Sequence, residues 1–233
     1  MINKLKVYNV GEKIRVGSTN DGGYVLPVQI LQDSECLFSY GIAEDITFDE
    51  HYIQLTNKKA YGYDHTIDGI STEYPELFTW YKKGLSGTTR EDTGNFIDHY
   101  KELGISGRAL LKVDVEGCEY EWLTNINTDI QELASITTGI VLEVHNLEND
   151  FVRHRFIECI EELNKHFYIC HIHGNNCAAT FTYEEFDFPM VLEITFISKQ
   201  IVDGLAGFSN ESFPTELDSP NNKNLPDLSL NFM

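Results

Sequence analysis

The stretch "LLKVDVEGCEYEWL", residues 110–123, passes from an apolar segment into acidic residues and then into a helix-like pattern. The apolar start predicts a buried β-strand, and the segment that follows predicts a short helix over 118–126. Asp114, Glu116 and Glu119 therefore lie where a strand meets a helix. One interpretation is that such carboxylates cap the helix, because its first N–H groups have no partners within it.

Alternating strands and helices surround this stretch. Runs rich in β-branched or aromatic residues predict strands over 35–41, 59–66, 76–87, 109–115, 139–145, 168–174 and 190–199. Apolar residues at helical spacing predict helices over 44–58, 90–104, 118–126 and 149–167. This order predicts an α/β fold with a mostly parallel sheet and right-handed crossovers. A loop of about sixteen residues joins the last two strands and allows them to pair antiparallel.

The two ends of the chain differ from this alternating core. "KIRVGSTNDGGYVLP", residues 13–27, predicts a β-hairpin in which Asn20 to Gly23 supply the positive-φ positions of a tight turn. Residues 208–233 are polar and have no period, so we expect a loose tail or an arm packed on a neighbouring subunit. The expected organisation is one domain over 1–207, with a hairpin cap over 1–34 and a core over 35–199, and a tail over 208–233.

The composition limits the partners of the protein. The 233 residues include 37 acidic and 17 basic side chains, a formal net charge of −20, and no basic run that could follow a phosphate backbone. We therefore expect neither nucleic acid nor an anionic membrane as a partner. The N-terminus does not resemble a signal peptide and no apolar run approaches ~18 residues, so we expect a cytoplasmic protein. Five cysteines without a CxxC pair indicate free, buried thiols.

The predicted strands end in residues that could form one site. Ligands of parallel α/β sheets bind beyond the carboxyl ends of the strands. The residues at those ends are Gly41 with Glu44 and Asp45, then Asp64, then Ser86 with Gly87, then Asp114 with Glu116, and then Glu143 with His145. We expect all of them to face one crevice.

The first two strand ends indicate what the crevice binds. Gly41 lets the backbone approach a ligand, and Asp64 follows it by ~20 residues, which is the usual spacing of a ribose-binding carboxylate. The turn at Gly41 has one glycine instead of GxGxxG, and Glu44 and Asp45 would repel a pyrophosphate. NAD, FAD and ATP are therefore disfavoured. S-adenosylmethionine has a nucleoside, no phosphate and a cationic sulfonium, and it fits this set of residues.

Several segments resemble a known family. "LLKVDVEGCEYEWL" is similar to the DVEG-containing signature of the FkbM-type S-adenosylmethionine-dependent methyltransferases. "RVGSTNDGGYVLP", "LFSYGIAEDITFDE" and "HIHGNNC" resemble further methyltransferase-like segments, so the resemblance covers roughly residues 14–198. It implies a Rossmann-like class I methyltransferase fold with seven strands, the last of them antiparallel. It also implies O-methylation of sugars, glycans or polyketide-type products, with a bacterial capsule or other surface polysaccharide as the expected context.

The resemblance implies a set of cofactor contacts in five segments: Asp21, Gly23 and Tyr24 of the hairpin, Gly41, Glu44 and Asp45 at the first turn, Asp64, Ser86, and Asp114 with Glu116. In this assignment Asp64 binds the ribose hydroxyls and Ser86 lies near adenine. Asp114 and Glu116 lie near the methionine end and the transferred methyl group. We expect the hairpin to fold over the cofactor. A turn is the ordinary structural interpretation of both Asp64 and the hairpin.

Transfer of a methyl group to a hydroxyl also requires the removal of a proton. His145 is the predicted general base, because the ordinary pKa of histidine, ~6.5, suits the task. Glu143 lies two positions earlier, on the same strand face. Asp114 and Glu116 complete the predicted catalytic set. The alternative for His145 is a hydrogen-bonded structural histidine.

A second histidine segment, "HIHGNN", follows the helix over 149–167. His173 is the second candidate for the general base, and Asn175 and Asn176 could hydrogen-bond an acceptor such as a sugar. Partial burial at a strand edge is the stronger interpretation of His171 and His173.

Two other functions are left open by these residues. Asp114, Glu116, Glu143 and His145 could bind Mg²⁺ or Mn²⁺ in a metal-assisted methyltransferase or hydrolase, although their spacing matches no local metal motif. Alternatively, a protein that kept the fold and lost turnover could bind a glycan or a protein partner.

The sequence does not identify the methyl acceptor. An acidic chain favours a neutral or cationic small molecule or glycan over a polyanion. A nucleotide-linked sugar would require basic residues such as Lys82, Lys83 or Arg90 near the entrance of the crevice. The oligomeric state is also open, and a homodimer is compatible with the aromatic residues and the C-terminal segment.

Overall fold

A seven-stranded sheet forms the centre of the computed structural model, which describes residues 1–125 and 128–232. Its strands are β1 (Cys36–Tyr40), β2 (Lys59–Tyr63), β3 (Phe78–Tyr81), β4 (Ala109–Val113), β5 (Thr137–Val144), β6 (Phe167–Gly174) and β7 (Leu192–Ser198). The order across the sheet is β3-β2-β1-β4-β5-β7-β6. Strand β7 runs antiparallel to β5 and β6, whereas the other pairs are parallel. The prediction of a mostly parallel α/β sheet is confirmed.

Helices cover both faces of this sheet. Within the described residues they are α1 (Val28–Asp33), α2 (Thr47–Thr56), α3 (Phe96–Glu102), α4 (Glu119–Thr124), α5 (Ile130–Ile136) and α6 (Asp150–His166), with a 3₁₀ turn at Ile2–Lys4. Leu110 of β4 packs in a cluster with α1 and α2, and Leu111 packs in a second cluster with α3 to α6. Successive strand residues point to opposite faces. A strand covered on both faces is therefore apolar at consecutive positions, as "ALL", residues 109–111, is.

The N-terminal hairpin consists of strands Lys13–Gly17 and Gly23–Pro27, which pair antiparallel. A five-residue loop joins them, in which Asp21 and Gly22 form the expected turn and Gly22 has the expected positive φ, +77°, whereas Asn20 and Gly23 do not have a positive φ. Arg15 holds this loop open by donating to the carbonyl oxygens of Ser18 and Asn20, both at 2.8 Å. Gly23 belongs to the strand, where a Cβ would lie 1.9 Å from the Ser18 carbonyl oxygen.

Several small elements differ from the expectations. The loop between β6 and β7 contains a hairpin of Thr180–Tyr183 with Phe186–Pro189. The predicted strand over 76–87 divides into β3 and a short strand, Gly84–Leu85, which pairs with Thr93–Gly94. Tyr8–Asn9 pairs with Gly207–Phe208. Helices α1 and α5 are too short to show a clear period in the sequence. Ile126, at the end of the helix predicted over 118–126, lies outside the described residues.

The C-terminal segment packs on the chain's own body, so the expectation of a loose tail or an arm on a neighbour is wrong. Phe213, Leu230 and Phe232 are buried in the same cluster as the core of the sheet. Asp218 and Asp227 accept hydrogen bonds from the rings of His171 and His173 of β6, at 2.8 and 2.9 Å. Buried apolar residues and two hydrogen bonds to buried histidines therefore fix a segment whose average composition is polar. Met233 lies outside the described residues.

The five cysteines are free thiols, as expected, but Cys118 and Cys177 are exposed rather than buried. No helix in the described ranges combines the length and the apolar character that are needed to cross a membrane.

Candidate active site

The carboxyl ends of β1, β2 and β4 enclose a cleft of about 220 Å³. Its lining residues are Gly41, Ala43, Tyr63, Asp64, His65, Thr66, Gly84, Leu85, Asp114, Val115, Glu116 and Cys118. The structure therefore brings together four of the residues predicted for the site: Gly41, Asp64, Asp114 and Glu116. Because parallel strands end at one edge of the sheet, residues more than seventy positions apart in the chain meet there.

Gly41 lies where the turn after β1 packs against the end of β4. Its φ is +71°, and a Cβ on this residue would lie 1.6 Å from the carbonyl oxygen of Asp114. The carbonyl oxygen of Gly41 accepts a hydrogen bond from Lys112 Nζ at 3.1 Å. Only glycine allows the ends of β1 and β4 to lie this close together. Gly41 is therefore required for packing inside the protein, and it also lines the cleft.

Asp64 is held in the wall of the cleft by three hydrogen bonds. Its Oδ2 accepts the backbone N–H of Ala43 at 2.9 Å, and its Oδ1 accepts the N–H and hydroxyl of Thr66 at 2.8 and 2.6 Å. Burial by itself raises the pKa of this carboxyl, but the hydrogen bonds from Thr66 and Ala43 outweigh it and hold the pKa below its ordinary value. A carboxylate offers about four acceptor positions, so one remains for a ligand hydroxyl.

Asp114 and Glu116 form the part of the wall that continues from β4. Asp114 has a side chain 24% exposed, and its Oδ2 lies 3.6 Å from Lys112 Nζ. The hydroxyl oxygen of Tyr24 lies 3.4 Å from the same oxygen. Glu116 adopts a left-handed backbone conformation with φ +52°, which is uncommon for a residue with a side chain. Its carboxylate is largely exposed at the mouth of the cleft.

Glu119 is a residue of this region that is not among those predicted for the site. It is fully buried in the first turn of α4. Its Oε2 accepts the backbone N–H of Gly117 at 2.7 Å, and its Oε1 accepts that of His145 at 2.9 Å. Oε1 also lies 3.4 Å from Nδ1 of the same histidine. An acid in the first turn of a helix is visible in the sequence, but its partner on another strand is not.

His145 follows β5 and lies among four carboxylates. Its Nε2 is 3.6 Å from Glu116 and Glu143 and 3.9 Å from Asp114, while Nδ1 faces Glu119. Burial lowers the pKa of the imidazole, but the hydrogen bond to Glu119 and the charges of the surrounding acids outweigh it and raise the pKa to about 9. The ordinary pKa assumed for a general base is therefore wrong here. At neutral pH the ring carries its proton, because the acids stabilise the imidazolium.

Glu143 and Tyr24 lie on the far side of Asp114 from the cleft. The Tyr24 hydroxyl donates to Glu143 Oε2 at 3.0 Å, and Asn175 Nδ2 donates to Oε1 at 2.9 Å. Burial raises the pKa of Glu143, and the nearby charges of Asp114 and Glu193 raise it further. Asp114 therefore separates two regions, an open cleft and a buried polar cluster.

Comparison with known families gives this arrangement a context. The family model of the methyltransferase FkbM domain matches residues 13–170, about two thirds of the chain. The chain belongs to the FkbM methyltransferase family. A search of curated proteins found no match. The match runs from the hairpin into β6, so it includes every residue of the cleft, whereas β7 and the C-terminal segment of this FkbM-family chain lie beyond it.

Some residues predicted for the site lie outside the lining of the FkbM-family cleft. Glu44 and Asp45 are exposed, and Asp45 accepts the backbone N–H of Thr47 at 2.8 Å at the start of α2. Ser86 follows the short strand Gly84–Leu85 instead of ending β3, and its hydroxyl donates to Glu121 at 3.3 Å. Hydrogen bonds within the chain therefore occupy Asp45 and Ser86.

The hairpin residues predicted as cofactor contacts face the buried polar cluster. Asp21 accepts hydrogen bonds from Asn221 at 2.9 Å and from Asn175 at 3.5 Å. Gly23 packs on the hairpin loop, and Tyr24 bonds Glu143. The hairpin reaches the site from the side of β5 to β7 and does not line the cleft.

The second histidine segment binds the C-terminal segment. Burial lowers the pKa of His173, but hydrogen bonds with Asp227 and Glu193, at 2.9 and 3.0 Å, outweigh it and raise the pKa to about 10. The Asn176 amide donates to three backbone carbonyls of the C-terminal segment. The second-choice base is therefore protonated at neutral pH, and the Asn176 amide serves packing.

The basic residues considered for a nucleotide-linked acceptor do not gather at the cleft. Lys82 pairs with Asp68, and Lys83 lies 3.5 Å from Glu102. In the described part of the chain, the cleft lining contains no Lys or Arg.

Proposed function

We propose that this chain is an S-adenosylmethionine-dependent O-methyltransferase that acts on a sugar, a glycan or a related small acceptor. The observation that carries the proposal is the cleft at the ends of β1, β2 and β4, whose walls include Asp64, Asp114 and Glu116. These acids favour a cationic ligand and disfavour a pyrophosphate. Family membership and the strand order of a Rossmann-like class I methyltransferase fold support the same assignment.

The proposed cofactor lies along the strand ends. Asp64, with its remaining acceptor position, binds a ribose hydroxyl, and the adenine lies towards Gly84 and Leu85. The sulfonium and the amino group of the methionine part lie against Asp114 and Glu116, where negative charge stabilises them. The transferred methyl group then points to the far side of Asp114, near Tyr24.

Methyl transfer from a sulfonium is an in-line displacement, so the protein contributes mainly by holding the two reactants close and aligned. Fixed groups suit this task. Lys112 holds both the Gly41 turn and Asp114, and the Asp64 carboxylate is fixed by three hydrogen bonds.

The proposed biological setting rests on the family. We infer a role in bacterial capsule or surface-polysaccharide synthesis in the cytoplasm, where free thiols such as the five found here persist. The acidic cleft supports a neutral acceptor, and a nucleotide-linked sugar and a homodimer are further proposals to be tested.

Calorimetry separates this proposal from its competitors. S-adenosylmethionine should bind saturably at one site per chain, and NAD should not bind. A transfer screen with a labelled methyl group over sugars, sugar nucleotides and glycans then identifies the acceptor, with Asp114→Ala as the inactive control. Absence of saturable S-adenosylmethionine binding would overturn the proposed cofactor, and binding without transfer to any acceptor would favour a non-catalytic binding protein.

A further inference from the structure

Three potential metal ligands converge on the far side of Asp114 from the cleft. One ligand atom from each of Asp114, Glu143 and His145 lies within 4.8 Å of the other two. Two of these residues are buried and Asp114 is half-buried. Acidic residues often cluster without a ligand, so the cluster needs an independent sign that something binds there.

That sign is the imidazole of His145. Its side chain is only 10% exposed, yet among the described residues no group lies within hydrogen-bonding distance of Nε2. The nearest acceptors are oxygens of Glu116, Glu143 and Asp114 at 3.6 to 3.9 Å, which is too far for a hydrogen bond. Here the nitrogen faces a group of oxygens from which it stays separated.

The spacing of these atoms suits a metal ion. Three atoms that are 3.6 to 4.8 Å apart form a triangle whose centre lies at about 2.1 to 2.8 Å from each of them, because this distance is the side divided by √3. One ion at the centre can therefore contact all three. Metal–oxygen and metal–imidazole distances in proteins are about 2.0 to 2.6 Å. The separation of Nε2 from the carboxylates is thus too long for direct bonds and appropriate for bonds to a common cation.

The surrounding residues hold the three ligands in place. Glu119, fully buried, accepts the backbone N–H of His145 and faces Nδ1 at 3.4 Å, which directs Nε2 towards Asp114 and Glu143. A carboxylate on the other ring nitrogen is the usual partner of a metal-binding histidine. Tyr24 and Asn175 each donate to one oxygen of Glu143, at 3.0 and 2.9 Å, and fix its orientation.

We propose that Asp114, Glu143 and His145 bind a divalent metal ion of the Mn²⁺ type, with the exposed Glu116 as an additional ligand. Two carboxylates balance the charge of the ion, and a ligand set in which carboxylates predominate suits a hard ion such as Mn²⁺. Binding releases the proton from Nε2, since a metal-bound imidazole is neutral.

The role of this ion rests on the proposed function, although its binding does not. An ion beside Asp114 lies where the acceptor meets the methyl group. Coordination there weakens the O–H bond of the acceptor hydroxyl, and its proton passes to water or a nearby carboxylate as the oxygen forms its bond to the methyl carbon and the sulfonium leaves as a thioether. His145 then acts as a metal ligand and not as the general base.

Electron paramagnetic resonance with Mn²⁺ tests the site without any enzyme assay. The full chain is freed of metal with a chelator and titrated with Mn²⁺ alone. We expect one bound ion per chain whose spectrum shows hyperfine coupling to an imidazole nitrogen. The coupling is decisive because a chain of net charge −20 also attracts Mn²⁺ to surface carboxylates, which contain no nitrogen.

Matched variants assign the nitrogen. His145→Asn should abolish the coupling and weaken Mn²⁺ binding by at least about tenfold, and Glu119→Gln should weaken it by about 10- to 100-fold. His154→Asn, on the exposed surface of α6, should change neither.

Loss of Mn²⁺ binding in His145→Asn with S-adenosylmethionine binding retained separates the metal site from the cofactor site. If His145→Asn does not fold, the spectrum of the unchanged chain decides. No bound Mn²⁺ at about 1 mM metal, the weak limit of protein sites, or bound Mn²⁺ without nitrogen coupling, overturns the proposal.

Discussion

Glu119 accepts the backbone N–H of His145 at 2.9 Å and lies 3.4 Å from its Nδ1, so an acid at the start of α4 orients an imidazole at the end of β5. The two residues are 26 positions apart in the chain and meet because β4 and β5 are adjacent parallel strands. This contact orients the histidine and is the largest of the interactions that raise its pKa. It connects the acidic stretch after β4 to the chemistry of the site.

Replacing Glu119 by Gln should lower the pKa of His145 from about 9 towards its ordinary value, because the hydrogen bond to a charged partner is lost while the shape is kept. The measurement is an NMR titration of the His145 ring in metal-free protein. Glu73→Gln, an exposed replacement of the same kind, should leave the titration unchanged. An unaltered His145 pKa in Glu119→Gln would show that the other acids alone hold the proton.

Gly41→Ala should destabilise the protein by more than about 4 kcal/mol or prevent folding, because the new Cβ meets a backbone oxygen at 1.6 Å in addition to the left-handed strain. Gly104→Ala is the matched control. Gly104 also has a positive φ, +64°, but its Cβ would meet no atom within 4 Å, so we expect a loss of only about 1–2 kcal/mol. Urea unfolding measures both, and equal losses would show that the contact between Gly41 and Asp114 relaxes easily.

Asp64→Asn should weaken S-adenosylmethionine binding by at least about tenfold and reduce stability by about 1–3 kcal/mol. The Asp64 carboxylate accepts three hydrogen bonds through its two oxygens, whereas an amide has only one oxygen that accepts. Asp68→Asn, whose side chain is 95% exposed, should change stability by less than about 0.5 kcal/mol. Calorimetry and urea unfolding give the two quantities. Full cofactor affinity in Asp64→Asn would remove this residue from the proposed ribose site.

His173 should make stability fall at alkaline pH. Its pKa in the folded protein, about 10, lies above the unfolded value of ~6.5, so its contribution is fully present below pH ~6.5 and is lost as pH rises through about 10. Between pH 7 and pH 10 the free energy of unfolding of the unchanged protein should fall by roughly a few kcal/mol more than that of His173→Gln. Urea unfolding at both pH values measures this difference. Parallel pH profiles of the two proteins would mean that the ion pair with Asp227 and Glu193 does not stabilise the fold.

The sequence is sufficient where neighbouring residues decide the structure. Consecutive apolar residues such as Leu110 and Leu111 indicate a strand covered on both faces, and each lies in a different core cluster. Helix α6 shows its buried residues Phe156, Ile160 and Leu163 at helical spacing. The alternation predicts a mostly parallel sheet, whose strands end at one edge, and with it the meeting of Gly41, Asp64 and Asp114.

The C-terminal segment and the hairpin between β6 and β7 show where such reasoning ends. Phe213 stands among polar residues, and the alternation of Leu228, Leu230 and Phe232 is too short to predict burial. Their partners are elements far away in the chain, and only packing brings them together. The same applies to Asp218 and Asp227, whose interaction with β6 cannot be read from their own neighbours.

The sequence by itself therefore determined the α/β fold, the family, and the acids at the strand ends, because these depend on periodicity and on motifs within short segments. Only the tertiary structure decided which of those acids share the cleft and which surround His145. The charge of that histidine depends on four carboxylates from separate parts of the chain. Electrostatic interactions act through space, so the chemistry of the imidazole was settled by distances that exist only in the folded protein.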